Sequence, residues 1–378
     1  MFCFTQEQLE KKQFAESFAK KQLALKERDE PDREELFRLL WSRCADFGLF
    51  MLPVPGKYGG LEEELPGIVA IMEGIGAGSD EAGIMFSVNV HLWACILPVL
   101  HFGTEEQKER LLPCLISGKS IGAHGISEEN AGSDVWNLET TYEEDENGYT
   151  LDGIKNYITN GPLADVFIVY ARQKGSKGMK GVSCFIAERG MQGFTIGKPI
   201  EKMGLELSPF SSVYFNGCVI PKTNLLGQKG QGMNIFNHTM EYERTLLLSF
   251  QIGLMERQLG RCVEFAQKRR QFNQRIINFQ SVSNRIADMK VRLEASRLLA
   301  YKVVNEKMEN RSIYLPSSIA KLFISESLVQ NSICAMEIFG ACGYIKEYGI
   351  EQNLRDSMGS KLYSGTSDIQ RNIISGLI

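Results

Sequence analysis

Apolar residues follow a helical rhythm at the two ends of the chain and a strand rhythm in the middle. Over residues 7–25, helix formers carry Leu9, Phe14, Phe18 and Leu23, which predicts a first helix. A second is expected over 32–47, stopped by Gly48. Residues 53–60 read as a turn-rich link, and two apolar helices should follow near 63–77 and 82–101. Thr104, with Gln107 three residues on, forms a capping box that opens a helix through Leu112. After Gly118 the texture changes. Segments 165–171, 182–187, 193–197 and 212–220 are short, rich in β-branched and aromatic residues, and separated by Gly, Asn and Lys. From about residue 233 the helical spacing returns. Val282, Ile286, Met289, Leu293, Leu299 and Val303 recur mostly at three- and four-residue steps, and another long helix is expected over 316–339. The pattern predicts an α+β protein in three parts: helical over 1–119, β over 120–222, and a helical bundle over 223–378.

Composition narrows this picture. With 378 residues, 43% of them apolar, the chain has material for a large core and two or three domains. A net charge of -4 carries no nucleic-acid signature. No run of eighteen apolar residues occurs, so no membrane span is expected. The N-terminus MFCFTQEQLEKK resembles neither a secretory signal nor a transit peptide. Nine cysteines, none at CxxC spacing and most among apolar neighbours, read as core thiols of a cytoplasmic protein. Four scattered histidines suggest no metal site.

Generic nucleotide-binding and hydrolase motifs are absent, and the Gly-rich stretch 227–232 reads as a link into the next helix. Four other stretches carry candidate chemistry. Asn130 to Asp134 combines a small, flexible backbone with a hydroxyl and a carboxylate. It can bring N–H groups close to a planar or phosphate ligand, or form a polar turn. Tyr157 to Gly161 pairs an aromatic with a hydroxyl two residues on. On a strand the two share a face, so one can stack on a ring while the other hydrogen-bonds to it. The plainer alternative is a strand ending in an Asn-Gly turn. Lys268 to Phe272 sets a cationic cluster beside an aromatic, suited to a pyrophosphate and an adenine or to a solvated helix end. Tyr363 to Arg371 is a loop entering a helix, capped by Thr366 or Ser367, whose free N–H groups can meet an anion.

Together, in this order and spacing, these stretches resemble the acyl-CoA dehydrogenase family. The resemblance runs over nearly the whole chain and includes Phe102 to Gln107, Glu128 to Asp134, Tyr157 to Gly161, Lys202 to Gly204, Arg269 to Phe272, Phe279-Gln280 and Gly365 to Gln370. It implies an N-terminal helical domain, a middle β domain and a C-terminal four-helix bundle, with FAD at their junction. It also implies a homotetramer in which the pyrophosphate of one FAD meets the neighbouring subunit. Carried over by motif, Ile126, Ser127 and Ser133 line the flavin, and Tyr157 and Thr159 contact the isoalloxazine. Arg269 and Phe272 reach the neighbour's FAD, Gln280 lies near its adenine, and Thr366 and Asp368 touch the cofactor from the terminal loop. The chain departs from the family pattern at Asn273, where Gly is usual, and at Glu129, where Pro is common. It departs again over 206–210, where Arg-x-Ser-x-Thr is frequent.

The reaction that this resemblance implies needs a base. Many members place a Glu directly before Gly-Thr in the terminal loop, where this chain has Ser364. A subgroup that includes the isovaleryl and long-chain enzymes carries its Glu on a helix directly before an Arg, and Glu243-Arg244 matches it. A carboxylate in an apolar pocket has a raised pKa and accepts an alpha proton more readily. The developing enolate needs donors. The family supplies a ribityl hydroxyl of FAD and the backbone N–H at the Ser364 position, so Ser364 keeps that half of the machinery. Glu241, Tyr363 and Gly365 are expected to meet the substrate. Within the family, the chain most resembles members that act on L-prolyl groups tethered to a peptidyl carrier protein in natural-product pathways. Glu243-Arg244, residues 253–259, 293–299 and 354–357, and above all Tyr363 to Asp368 carry that likeness. It implies a pyrroline- or pyrrole-carboxyl product, with molecular oxygen or an electron-transfer flavoprotein as acceptor. Two other readings stay open: a short branched-chain dehydrogenase of free CoA thioesters, and a non-catalytic flavoprotein.

Overall fold

Residues 4–24, 32–79, 81–146 and 148–378 are described by the computed structural model; Cys3 and Leu25 lie outside them. Helix α1 (Gln6–Gln22) opens on Thr5, whose hydroxyl accepts from the Gln8 N–H while the Gln8 side chain accepts from Thr5. Helix α2 (Arg33–Asp46) is capped by Asp32. The two expected apolar helices are α3 (Leu65–Gly78) and a longer stretch in which α4 (Ala82–His91) and α5 (Leu97–Phe102) join through a π-helical turn. By length and hydropathy, residues 82–102 would suffice to cross a membrane, yet 94% of the apolar window is buried inside the protein. It is a core helix, wrapped on every side by other elements. The Thr104–Gln107 capping box forms as expected and opens α6 (Glu105–Ile116).

One sheet follows. Its strands are β1 (Gly122–Gly125), β2 (Thr141–Glu144), β3 (Gly148–Thr159), β4 (Val166–Gln173), β5 (Val182–Glu188), β6 (Phe194–Ile196), β7 (Phe210–Pro221) and β8 (Leu225–Leu226). Their order is β6-β7-β3-β2-β4-β5-β8, with β1 parallel beside β4. The sequence pattern marks β4 to β7 but not β1 and β2, which are short and carry Gly, His or Glu. A register shift separates Lys155 from Ile158 in β3, and Tyr157 there has a φ of 64°. Simple alternation of Tyr157 and Thr159 on one face is therefore broken by a bulge.

Helices α7 (Gly232–Leu246) and α8 (Ser249–Lys268) lead to a hairpin of β9 (Arg270–Gln271) and β10 (Gln274–Arg275). Then come α9 (Gln280–Met308), α10 (Tyr314–Phe339), α11 (Ile350–Ser360) and α12 (Ser367–Ser375). Phe272 and Asn273 both adopt positive φ in the hairpin turn. Asn tolerates that region better than other side chains, which explains how it stands where Gly is usual. The first and last helical regions interlock where α3 crosses α8. A Cβ on Gly76 would lie 1.8 Å from the Phe250 carbonyl oxygen, and one on Gly253 would lie 1.9 Å from that of Glu73. Only glycine permits backbones so close. Beside this crossing, buried Glu73 receives Lys12 at 2.9 Å and Arg297 at 2.6 Å, tying α1, α3 and α9 together.

Candidate active site

A cavity of about 930 Å³ opens where α4, β1, β3, α7, α11 and the loop before α12 meet. That volume is in the range of small-molecule sites. Helix α7 presents Phe236, Met240 and Glu243 to it. Spacings of four and three residues put those side chains on one helix face. Phe86, Val90 and Ala94 extend the apolar wall from the α4 stretch.

Glu243 is the one acidic side chain of α7 aimed into this cavity, and it is 7% exposed. Its Oε1 accepts a hydrogen bond from the Ser364 hydroxyl at 2.5 Å, and its Oε2 has no hydrogen-bond partner among the described residues. Burial raises its pKa to about 7; the Ser364 hydrogen bond and the charges of Arg244 and Lys321 pull the other way without prevailing. Arg244 lies over the Tyr314 ring at 5.2 Å, rather than forming an ion pair with Glu243, among the described residues. Ser364 adopts a left-handed φ of 53°, followed by Gly365 at 88°, so the terminal loop turns sharply against the carboxylate. Among the described residues the Ser364 N–H meets no backbone acceptor. Thr366 caps α12 by accepting from Ile369 N–H at 3.2 Å.

The opposite wall suits a planar, amphipathic ring. Ile126, Ser127, Ser133, Tyr157 and Thr159 all line the cavity, with hydroxyls set around an apolar floor. A buried ion pair holds this wall. Lys155 meets Glu128 at 2.5 Å, Glu128 accepts from the Thr140 N–H at 3.0 Å, and Lys155 also donates to the Ile126 carbonyl at 3.3 Å. The segment from Ile126 to Ser133 is thereby pinned to β3. These residues fit a flavin. The departure over 206–210 has a visible effect at the cavity rim, where Glu206 pairs with Arg33 at 2.9 Å and with the cavity-lining Arg355 at 2.7 Å.

Eleven of the sequence-predicted residues thus meet in one place: Ile126, Ser127, Ser133, Tyr157, Thr159, Glu243, Arg244, Tyr363, Ser364, Gly365 and Thr366. Five do not. Glu241 lies two residues before Glu243, which turns it roughly 200° around the helix, and it faces Lys307 at 3.6 Å. Asp368 is exposed and pairs with Arg371 at 3.0 Å. Arg269, Phe272 and Gln280 are all exposed near the β9–β10 hairpin, outside the cavity lining. The sequence reading gave no site role to His124, Trp136, Tyr314 or Asp356, which line the cavity. For His124 a signal existed: it stands on β1, two residues before Ile126 at the start of the candidate flavin segment.

A helical–sheet–helical molecule with a buried carboxylate in a cavity whose lining fits a flavin has the architecture of an acyl-thioester oxidoreductase. The chain belongs to the acyl-CoA dehydrogenase family, matching the N-terminal, middle and C-terminal domain models over residues 5–119, 123–218 and 230–376. It is 39% identical over 336 residues to an L-prolyl-[peptidyl-carrier protein] dehydrogenase of Pseudomonas fluorescens, covering 89% of this chain and 88% of that protein. Among solved structures it is similar to the prolyl acyl carrier protein oxidase AnaB, with a TM-score of 0.96 and 39% identity over 99% of both chains. It is also similar to PigA with FAD and proline, with a TM-score of 0.94 and 35% identity over 100% of this chain and 98% of that one.

Proposed function

We propose that this chain is an FAD-dependent dehydrogenase or oxidase of an L-prolyl thioester carried on a peptidyl or acyl carrier protein. The observation that carries the chemistry is Glu243: a buried carboxylate with one oxygen unpartnered among the described residues, its pKa raised to about 7, lining the same cavity as the residues that fit a flavin. The substrate follows from the relatives, whose names specify prolyl groups on carrier proteins.

Ile126, Ser127, Ser133, Tyr157, Thr159 and Thr366 hold the cofactor, FAD, which when bound supplies the hydride acceptor for the substrate's beta carbon. Glu243 Oε2 takes the alpha proton; a pKa near 7 matches the base to its task at neutral pH. The Ser364 hydroxyl orients the carboxylate through Oε1, and its free backbone N–H is available to the thioester oxygen as enolate charge develops. The apolar wall of Phe86, Phe236 and Met240 keeps water from the carbanion. A pyrroline- or pyrrole-carboxyl product follows, for use in natural-product assembly. Arg269, Phe272 and Gln280 serve the FAD of a neighbouring subunit in a homotetramer. Molecular oxygen or an electron-transfer flavoprotein takes the electrons, and the buried thiols suit a reducing cytoplasm.

The test is flavin bleaching under anaerobic conditions with three substrates: prolyl-carrier protein, prolyl-CoA and isovaleryl-CoA. The carrier thioester should bleach the flavin fastest. That advantage should shrink as salt rises, because an acidic carrier would be drawn to basic side chains around the mouth. Faster bleaching by isovaleryl-CoA would favour the branched-chain reading, and bleaching by none of them would leave a non-catalytic flavoprotein.

A further inference from the structure

Near Glu243, but outside the cavity lining, lies a buried amine that the mechanism above does not use. Lys321 of α10 is wholly buried, and its Nζ has no hydrogen-bond partner among the described residues. An amine taken out of water without a partner costs stability. Its neighbours fix where it stands. Tyr314 and Lys321 are seven residues apart and so share a face of α10. The Arg244 guanidinium lies over the Tyr314 ring, which turns that face towards α7. One turn on, the Ser325 hydroxyl donates to the Lys321 carbonyl, and the Ser325 carbonyl accepts from the Ser360 hydroxyl at 3.4 Å. Four residues later in the chain, Ser364 holds Glu243. Lys321 is thus enclosed between α7 and the segment that delivers Ser364.

The charges that act on Lys321 are Arg244 and Glu243 of α7 and Glu326 of its own helix. Glu326 is engaged elsewhere, by Lys361 at 3.0 Å and Arg371 at 3.5 Å. Burial first, and then the Arg244 charge, lowers the amine to about 7, while Glu326 and Glu243 act the other way. Below that pH Lys321 is a cation, and this is the range in which Glu243 takes up its proton. The phenols of Tyr170 and Tyr363 also feel Glu243, but burial keeps both protonated, so they bring no charge.

We infer that Lys321 is a positioning residue for the reaction: its charge, acting through the protein interior, holds the Glu243 carboxylate ionised. This rests on the reading of Glu243 as the base and deepens it. In a poorly solvated interior, a charge acts over several ångströms without contact. Arg244 supplies a permanent positive charge. Lys321 adds one that appears as the pH falls, and so extends the working range of the base towards acid.

The test is the pH profile of flavin reduction by prolyl-carrier thioester. In Lys321→Met the acid limb should move to higher pH by about one unit, while the plateau above it changes less than about tenfold. Lys321→Gln, equally neutral, should move the limb likewise. Lys321→Met should keep its FAD and melt no lower than the wild type, since it removes an unpartnered buried amine. An unmoved limb in both variants, or a uniform loss at every pH, would leave Lys321 a packing role and overturn the inference. A limb that moves in Lys321→Met alone would also overturn it, because hydrogen bonding rather than charge would then be at work. The stretch of the protonated carboxyl, assigned by its disappearance in Glu243→Gln, reads the same shift by infrared titration without substrate. Flavin reduction at the wild-type rate in Glu243→Gln would instead sink the base reading, and the infrared shift would still show whether Lys321 acts on the carboxylate.

Discussion

Two groups of motif residues carry comparable sequence signals and lie in contrasting surroundings. Glu243 and Ser364 are drawn from α7 and the loop before α12, 121 positions apart, and meet at 2.5 Å in the interior. Arg269 and Phe272 are near neighbours in the chain and face solvent, with Phe272 89% exposed. An open aromatic beside a cation is available to a second copy or to a ligand that the second copy holds. The contrast separates a site assembled within one chain from residues suited to complete a site in a second copy. The carboxylate should act through its chemistry, and the hairpin through assembly and cofactor retention.

Glu243→Gln should break the first half of that comparison most severely. The change is nearly isosteric, so folding and FAD content should hold while flavin reduction falls ~10²-fold or more, the scale of a lost general base. Reduction at the wild-type rate would move the base elsewhere. The same variant tests linkage. The folded-state pKa of about 7 lies above the unfolded value of 4.5. This group's contribution to stability is therefore complete below 4.5 and is lost as the pH rises through 7. At pH 8, Glu243→Gln should melt no lower than the wild type.

Arg269→Ala sharpens the second half. If Arg269 holds a neighbour's pyrophosphate, FAD affinity should drop by about tenfold, the scale of a charge-assisted hydrogen bond, and the oligomer should loosen with it. Light scattering and flavin absorbance should change together. A wild type that is monomeric yet retains its flavin would remove the inter-subunit role.

The smallest effect is expected at Ser364. Wild-type flavin reduction should fall as the pH drops below about 7, because the carboxyl must be ionised to take a proton. Ser364→Ala removes a hydrogen bond that favours the charged form, so the acid limb should move to higher pH. The rate well above the limb should change less than tenfold, since the backbone N–H remains. A loss as large as that of Glu243→Gln would show that the hydroxyl itself takes part in the chemistry.

Periodicity and capping chemistry determined much of this architecture without help. The helical spacing that recurs along α9, the Thr104–Gln107 box and the β-branched runs of β4 and β5 are local signals, read over a few residues. Motif order likewise marked most of the cavity wall, because a family pattern is written along the chain. The tertiary structure alone decided what those residues face. The bulge that sets Tyr157 at positive φ, the turn of α7 that sends Glu241 to Lys307 while Glu243 enters the cavity, and the place of His124 beside Phe236 all depend on contacts distant in sequence. The raised pKa of Glu243 belongs with them. A carboxyl group has no such pKa in the isolated sequence, and acquires it only when packing strips away the water that would have stabilised its charge.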